Sequence, residues 1–221
     1  MLSHSRQPLE FFYIQTLCYN SKHMFTPKKF QIPEVAGISK ATIEGHLKLY
    51  EGYVKHTNLI ADKLKEYGEA LDQNVYVVGE LNRRFSFEFN GMRNHEYYFE
   101  QLEGGAKKLS SDSLLARKIE EDFGSFENWE TSFKTLALTR GIGWAVLWYD
   151  RETHKLINSW VDEQHLGHLN SCQFIFGIDM WEHAYILDHT PADKKVYVES
   201  FLAATNNKIC EKRFEEVTKT S

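Results

Sequence analysis

From Ser39 the stretch SKATIEGHLKLYEGYVKHTNLIADKLKEYGEAL places Ile43, Leu47, Tyr50, Val54, Leu59, Leu64 and Tyr67 at close to helical spacing. The spacing predicts a long helix, or two in series, opened by Ser39 or Thr42 as its cap. A second helical pattern runs from about Val75 to Leu102 and stops at Gly104-Gly105, the residue type that ends helices most readily. Two long helices on a short connection make an antiparallel hairpin. The polar run KKLSSDS at 107–113 marks a boundary, and LLARKIEEDFGSFENWETSFKTLALTR beyond it reads as two helices broken at Phe123-Gly124-Ser125. The period then changes. GWAVLWYD, KLINSWVD and CQFIFGID are short β-rich runs separated by turn residues, which predicts a small three-stranded sheet. A last helical region is expected from Trp181 to about Val217, with a turn near Thr190-Pro191. Helices, then strands, then helices define an α+β chain rather than a βαβ alternation. The expected division is an extension over 1–28, poorly ordered, a helical hairpin over 29–110 and a C-terminal α/β unit over 111–221.

Composition narrows the partners. The formal net charge is −5 and the cations are spread rather than striped, which removes the electrostatic footprint of a nucleic-acid binder. Cys18, Cys172 and Cys210 are an odd number at wide spacing with no CxxC pair. A disulfide framework is therefore disfavoured and a reducing, cytoplasmic compartment is expected. No apolar run approaches the roughly 20 residues that span a bilayer, so no membrane partner is expected. The apolar PLEFFYIQTLCY at 8–19 contains Glu10 and Gln15 and lacks a small-residue cleavage site after it, unlike a secretory signal.

Ten histidines offer candidate chemistry. His4, His23, His154, His165, His168 and His189 lie in polar or turn-like stretches, and His56 has no evident carboxylate partner; all seven read as ordinary solvated imidazoles. The other three differ. His46 shares a helix face with Tyr50 and Tyr53, His95 sits beside Asn94 in a patch of aromatics, and His183 follows the third strand with Asp179. A carboxylate closing an apolar strand is costly unless a partner or a metal takes it up. Three imidazoles and one carboxylate suit iron or manganese better than magnesium or calcium, which want oxygen ligands, and zinc stays open on ligand type. No HExxH, P-loop, GxGxxG or GxSxG motif competes.

The segment DMWEHAY at 179–185 resembles the DxWEHAY signature of the iron/manganese superoxide dismutases. TIEGH and GYV, the NH pair before aromatics, FGSFENW and GIGWAVLW follow the family's order, so the similarity covers roughly 35–215. The resemblance implies a hairpin and an α/β unit holding one manganese or iron per chain, with His46, His95, Asp179 and His183 as ligands and solvent at a fifth position. It implies disproportionation of superoxide to dioxygen and hydrogen peroxide. Tyr53 is implied as the gateway tyrosine, Trp144 and Trp181 as site walls, and Glu182 and Tyr185 as parts of a homodimer bridge. Gln164 stands where manganese types carry a solvent-bonded glutamine, and Gly91 where iron types carry theirs; both point to manganese.

Departures accompany the resemblance. His46 and Tyr53 are seven residues apart where the family usually has eight, as if a π-bulge had been lost. The family's second helix-one histidine is replaced by Leu49-Tyr50. The arginine common after the signature is absent, and Lys194 and Lys195 are the nearest cations, as fit for a solvated turn as for steering an anion. A structural relative without activity and a non-haem iron oxygenase remain alternative readings; the four retained ligand positions speak against the first, and the lack of a cosubstrate pocket against the second.

Overall fold

The computed structural model describes residues 24–219. Helix α1 spans Lys40–Gly68, and of the two candidate caps Ser39 takes the role, its hydroxyl accepting from the Thr42 amide at 3.2 Å. No π-bulge interrupts α1, so the seven-residue spacing is carried by regular helix. Helix α2 spans Leu71–Glu100, opening four residues before the expected Val75. Its Asn74 leaves helical geometry at φ −125°, with its side-chain amide on the Ala70 carbonyl at 2.8 Å. Asparagine competes in this way with backbone pairing.

Residues 24–28, placed in the extension by the sequence reading, are instead fastened to the hairpin. Phe25 exchanges hydrogen bonds with the Asn58 side chain and sets its ring edge-on to Phe89, while the Lys28 amide donates to the Tyr50 hydroxyl at 2.8 Å. Residues 1–23, with Cys18, His4 and His23, lie outside the described residues.

Helices α3, Leu114–Phe123, and α4, Phe126–Ala137, meet at Gly124, whose φ of +83° ends α3 before Ser125 caps α4. Strands β1, Gly143–Asp150, β2, Lys155–Asp162, and β3, Cys172–Asp179, form an antiparallel sheet in the order β2-β1-β3. The central β1 is buried along nearly its whole length, and this explains its unbroken apolar sequence.

Between Trp181 and Asp193 the expected helix does not form. A 3-10 turn, Glu182–Ala184, then bends and a second 3-10 turn, Pro191–Asp193, carry the chain to helix α5, Lys194–Ala204. A tertiary tie anchors this stretch: the Asp188 carboxylate accepts from the Ser39 amide and the Thr42 hydroxyl, at 2.8 and 2.7 Å, at the start of α1, which holds the chain to a path that a continuous helix would leave. Helix α6, Asn207–Lys219, closes the chain.

A buried amide joins hairpin to sheet. Gln101 donates to the Gly177 carbonyl at 2.7 Å and accepts from the Gly177 amide at 3.0 Å. Arg213 of α6 donates to that same Gln101 oxygen, to the Tyr97 carbonyl and to Glu100. Among the described residues no helix is long and apolar enough to cross a membrane.

Candidate metal centre

Four side chains from distant parts of the chain converge where the hairpin meets the end of β3. His46 comes from α1, His95 from α2, Asp179 from the last position of β3 and His183 from the 3-10 turn beyond it. Their ligand atoms all lie within 4.8 Å of one another. Asp179 Oδ2 is the focus: His46 Nε2 and His183 Nε2 stand 3.1 Å from it and His95 Nε2 3.5 Å. His46, His95 and Asp179 are fully buried, and the His183 side chain is 21% exposed.

Hydrogen bonding around the cluster aims the ligands. Asp179 Oδ1 accepts from the Trp181 amide at 2.8 Å, which leaves Oδ2 to face the imidazoles. The Asp179 carbonyl accepts from the Tyr197 hydroxyl at 2.8 Å. His95 Nδ1 is 2.6 Å from the Gly91 carbonyl, which sets it as the donor and Nε2 as the lone-pair nitrogen. That Nε2 is buried and has no hydrogen-bond partner. An orphaned imidazole nitrogen aimed at two others and a carboxylate fits one transition-metal ion of nitrogen and oxygen preference.

The electrostatics agree. Burial pushes the His46 imidazole below its ordinary range against the pull of Asp179. Burial, then His46 beside it, lowers His95 to about 3. Both rings are therefore neutral, the form that ligates. Burial alone would raise the Asp179 carboxyl, but His183 and His46 outweigh it and hold it well below the usual carboxylate range.

The remaining sequence candidates gather around this cluster. Gln164, fully buried, accepts from Trp144 Nε1 at 3.0 Å and donates to the Tyr53 hydroxyl at 3.0 Å. Trp144 stands edge-on to His95 at 5.1 Å, and Trp181 stacks on His183 at 5.7 Å between centroids. Tyr53 covers His95 at 4.9 Å, so the shortened spacing still delivers its hydroxyl to the site. Seven residues at 100° each fall only about 20° short of two full turns, which puts Tyr53 nearly in line with His46. Gly91 makes room for it: a Cβ there would meet the Tyr53 ring at 2.5 Å. Glu182 is exposed and Tyr185 buried beside it.

Two histidines read as solvated are not. His168 is half-buried, edge-on to Trp148 and 3.3 Å from the Gln164 carbonyl; His165 is half-buried against Phe87. The loop that turns Gln164 inward turns them inward too. His189 reaches the Gly37 carbonyl and His154 the Tyr149 hydroxyl.

Sequence reasoning passed over three supports. Asn94 donates to the Gln164 carbonyl at 3.0 Å. The buried Tyr98 hydroxyl meets Tyr197 at 3.2 Å, and the Tyr98 ring lies 4.9 Å from His46. Asn94 beside His95 was a readable signal. The tyrosine pair, 99 residues apart, had none.

A helical hairpin and an α/β unit that share three imidazoles and one carboxylate define a protein with a single iron or manganese site. A family model described as iron/manganese superoxide dismutases, C-terminal domain, matches residues 111–213. The superoxide dismutase [Fe] of Methanothermobacter thermautotrophicus is 33% identical over 175 residues, covering 78% of this chain and 83% of that protein. The superoxide dismutase [Fe] of Aquifex aeolicus is 32% identical over 203 residues, 89% of this chain and 94% of that protein. The superoxide dismutase [Mn], mitochondrial, of Glossina morsitans morsitans is 32% identical over 184 residues, 82% and 83%. The chain belongs to the iron/manganese superoxide dismutase family.

Proposed function

We propose that this chain disproportionates superoxide, two anions and two protons yielding dioxygen and hydrogen peroxide, at one metal held by His46, His95, Asp179 and His183. The observation that carries the reading is the convergence of these four donors within 4.8 Å, with His95 Nε2 left unpartnered. When bound, the metal supplies one-electron redox chemistry through two oxidation states. The chain supplies the rest. Trp144, Trp181 and Tyr53 wall the site against bulk water and hold the ligand rings. Burial keeps the Tyr53 phenol well above its usual range, so it stays protonated. Its contact with the Gln164 amide places that proton at the mouth of the site, in reach of the peroxide being formed.

Manganese is the proposed metal, with iron second. Gln164 approaches from the loop after β2, and Gly91 leaves helix α2 without a competing side chain. The proposed assembly is a cytoplasmic homodimer in which Glu182 accepts from the partner's ligand histidine near Tyr185. The exposure of Glu182 and of one side of His183 supports that bridge. The start of the family-model match at residue 111 supports a division between the 29–110 and 111–221 units.

The test is metal analysis with a superoxide-consumption assay on protein reconstituted separately with manganese and iron. Activity with manganese above that with iron is expected. Iron activity equal to or above it would overturn the metal preference, and inactivity with both metals would overturn the function.

A further inference from the structure

At the outer edge of the site, helix α2 presents a charge arrangement that the ligand chemistry does not use. Phe87 lies 6.0 Å from Tyr53 and 5.5 Å from His165 between ring centroids, so it forms one lip beside Gln164. Glu88, the next residue, is 7% exposed. Its carboxylate accepts from Arg84, with Nε at 2.9 Å and a terminal nitrogen at 2.8 Å. The same guanidinium lies 3.7 Å over the face of Phe87. One side chain thus pairs with a buried carboxylate and covers the lip, which the flat fork of arginine allows and lysine does not.

An uncompensated carboxylate here would oppose an anionic substrate where low-dielectric walls focus the field. The cations near the signature have other bonds: Lys194 donates to the Thr139 carbonyl at 2.7 Å, and Lys195 lies 3.7 Å from Glu199. We propose that Arg84 is a positioning residue of the reaction, cancelling the Glu88 carboxylate at the mouth and clamping Phe87 against Tyr53 so that a small anion meets no negative barrier. This rests on the dismutase reading.

The experiment compares metal-loaded wild type, Arg84→Gln, Arg84→Lys, Glu88→Gln, the Arg84→Gln/Glu88→Gln double variant, and Lys212→Gln on the distant helix α6. Two quantities are read: kcat/KM against ionic strength, and the dissociation constant of azide, followed by the absorption of the metal. Arg84→Gln should lower kcat/KM at low salt and weaken azide by about fivefold, with the loss shrinking as salt screens the site. Glu88→Gln should shift both the other way, and the double variant should return to within about twofold of wild type. Arg84→Lys should keep the salt dependence of wild type, and Lys212→Gln should match wild type throughout. A double variant as impaired as Arg84→Gln would overturn the proposal, as would an Arg84→Gln protein indistinguishable from Lys212→Gln. A wild type that takes up metal and binds azide yet leaves superoxide untouched would instead overturn the dismutase reading, and the azide constants would still judge Arg84.

Discussion

Gln164 is tied by hydrogen bonds to three elements, accepting from Trp144 on β1 and Asn94 on α2 and donating to Tyr53 on α1, and its carbonyl also lies 3.3 Å from His168. Gln164→Ala deletes the group that links the gateway to the wall but leaves every ligand in place. Turnover is expected to fall by about tenfold or more while metal content changes less than twofold, a separation that stopped-flow kinetics and elemental analysis would register. His95→Ala acts on the other quantity: it removes a ligand, and metal retention should fall by about a hundredfold while circular dichroism keeps its helical signal. Gly91→Ala sets two effects against each other. Alanine gains about 1 kcal/mol of helix propensity over glycine, yet its Cβ would meet the Tyr53 ring at 2.5 Å. Relieving that contact requires the ring to move, so the bond from Gln164 to Tyr53 should be lost and activity should drop by about tenfold. Unchanged activity in this variant would show that Tyr53 does not need its observed pose.

Among the elements, Asp188 ties the loop after the site to the start of α1, and its effect depends on pH. Burial opposes its ionisation, but the Thr42 hydroxyl and the Ser39 amide outweigh that and hold the carboxyl below its reference value of 3.8. A depressed folded-state pKa contributes stability above the unfolded value and loses it as pH falls through the folded one. Asp188→Ala should therefore cost about 1 kcal/mol at neutral pH for a partly exposed charged hydrogen bond. The difference in Tm from wild type should narrow as the pH is taken well below 4. The hairpin and strands β1 and β3 were legible in the sequence because their patterns, a 3.6 period and a continuous buried run, are local; β2, buried only at Leu156 and Val161, was legible from its β-rich residues between turns. Asp179 and His183 were legible through the signature around them. The turn that carries His183 was not, because the tie that anchors its stretch, from Asp188 to Thr42, joins positions 146 apart in the chain. Nor was the backbone that turns Gln164 inward, an inward position the resemblance alone implied: Glu163 adopts φ +51°, a state that no glycine announces. Seven-residue phasing of His46 and Tyr53 is carried by regular helix, so a single residue inserted between them would rotate the gateway by about 100° unless a π-bulge absorbed it.

For the whole molecule, the assembly prediction is that Glu182→Ala weakens both dimer and metal retention, whereas a wild type sedimenting as a monomer at micromolar concentration would refute the bridge. A different consequence follows from where the four donors sit in the chain. Two belong to the hairpin, one ends β3 and one follows it, with His46 and Asp179 separated by 133 positions in the chain. A bound ion is therefore also a cross-link: it closes a long loop that the unfolded chain would have to close at an entropic cost. At free metal 100 times the dissociation constant, occupancy should stabilise the fold by about 2.7 kcal/mol. Calorimetry with and without chelator should show the gain. An ion that exchanges electrons would in this way also fasten the two halves of the chain together, so a cell short of metal is expected to hold a protein that is not merely idle but easier to unfold and degrade.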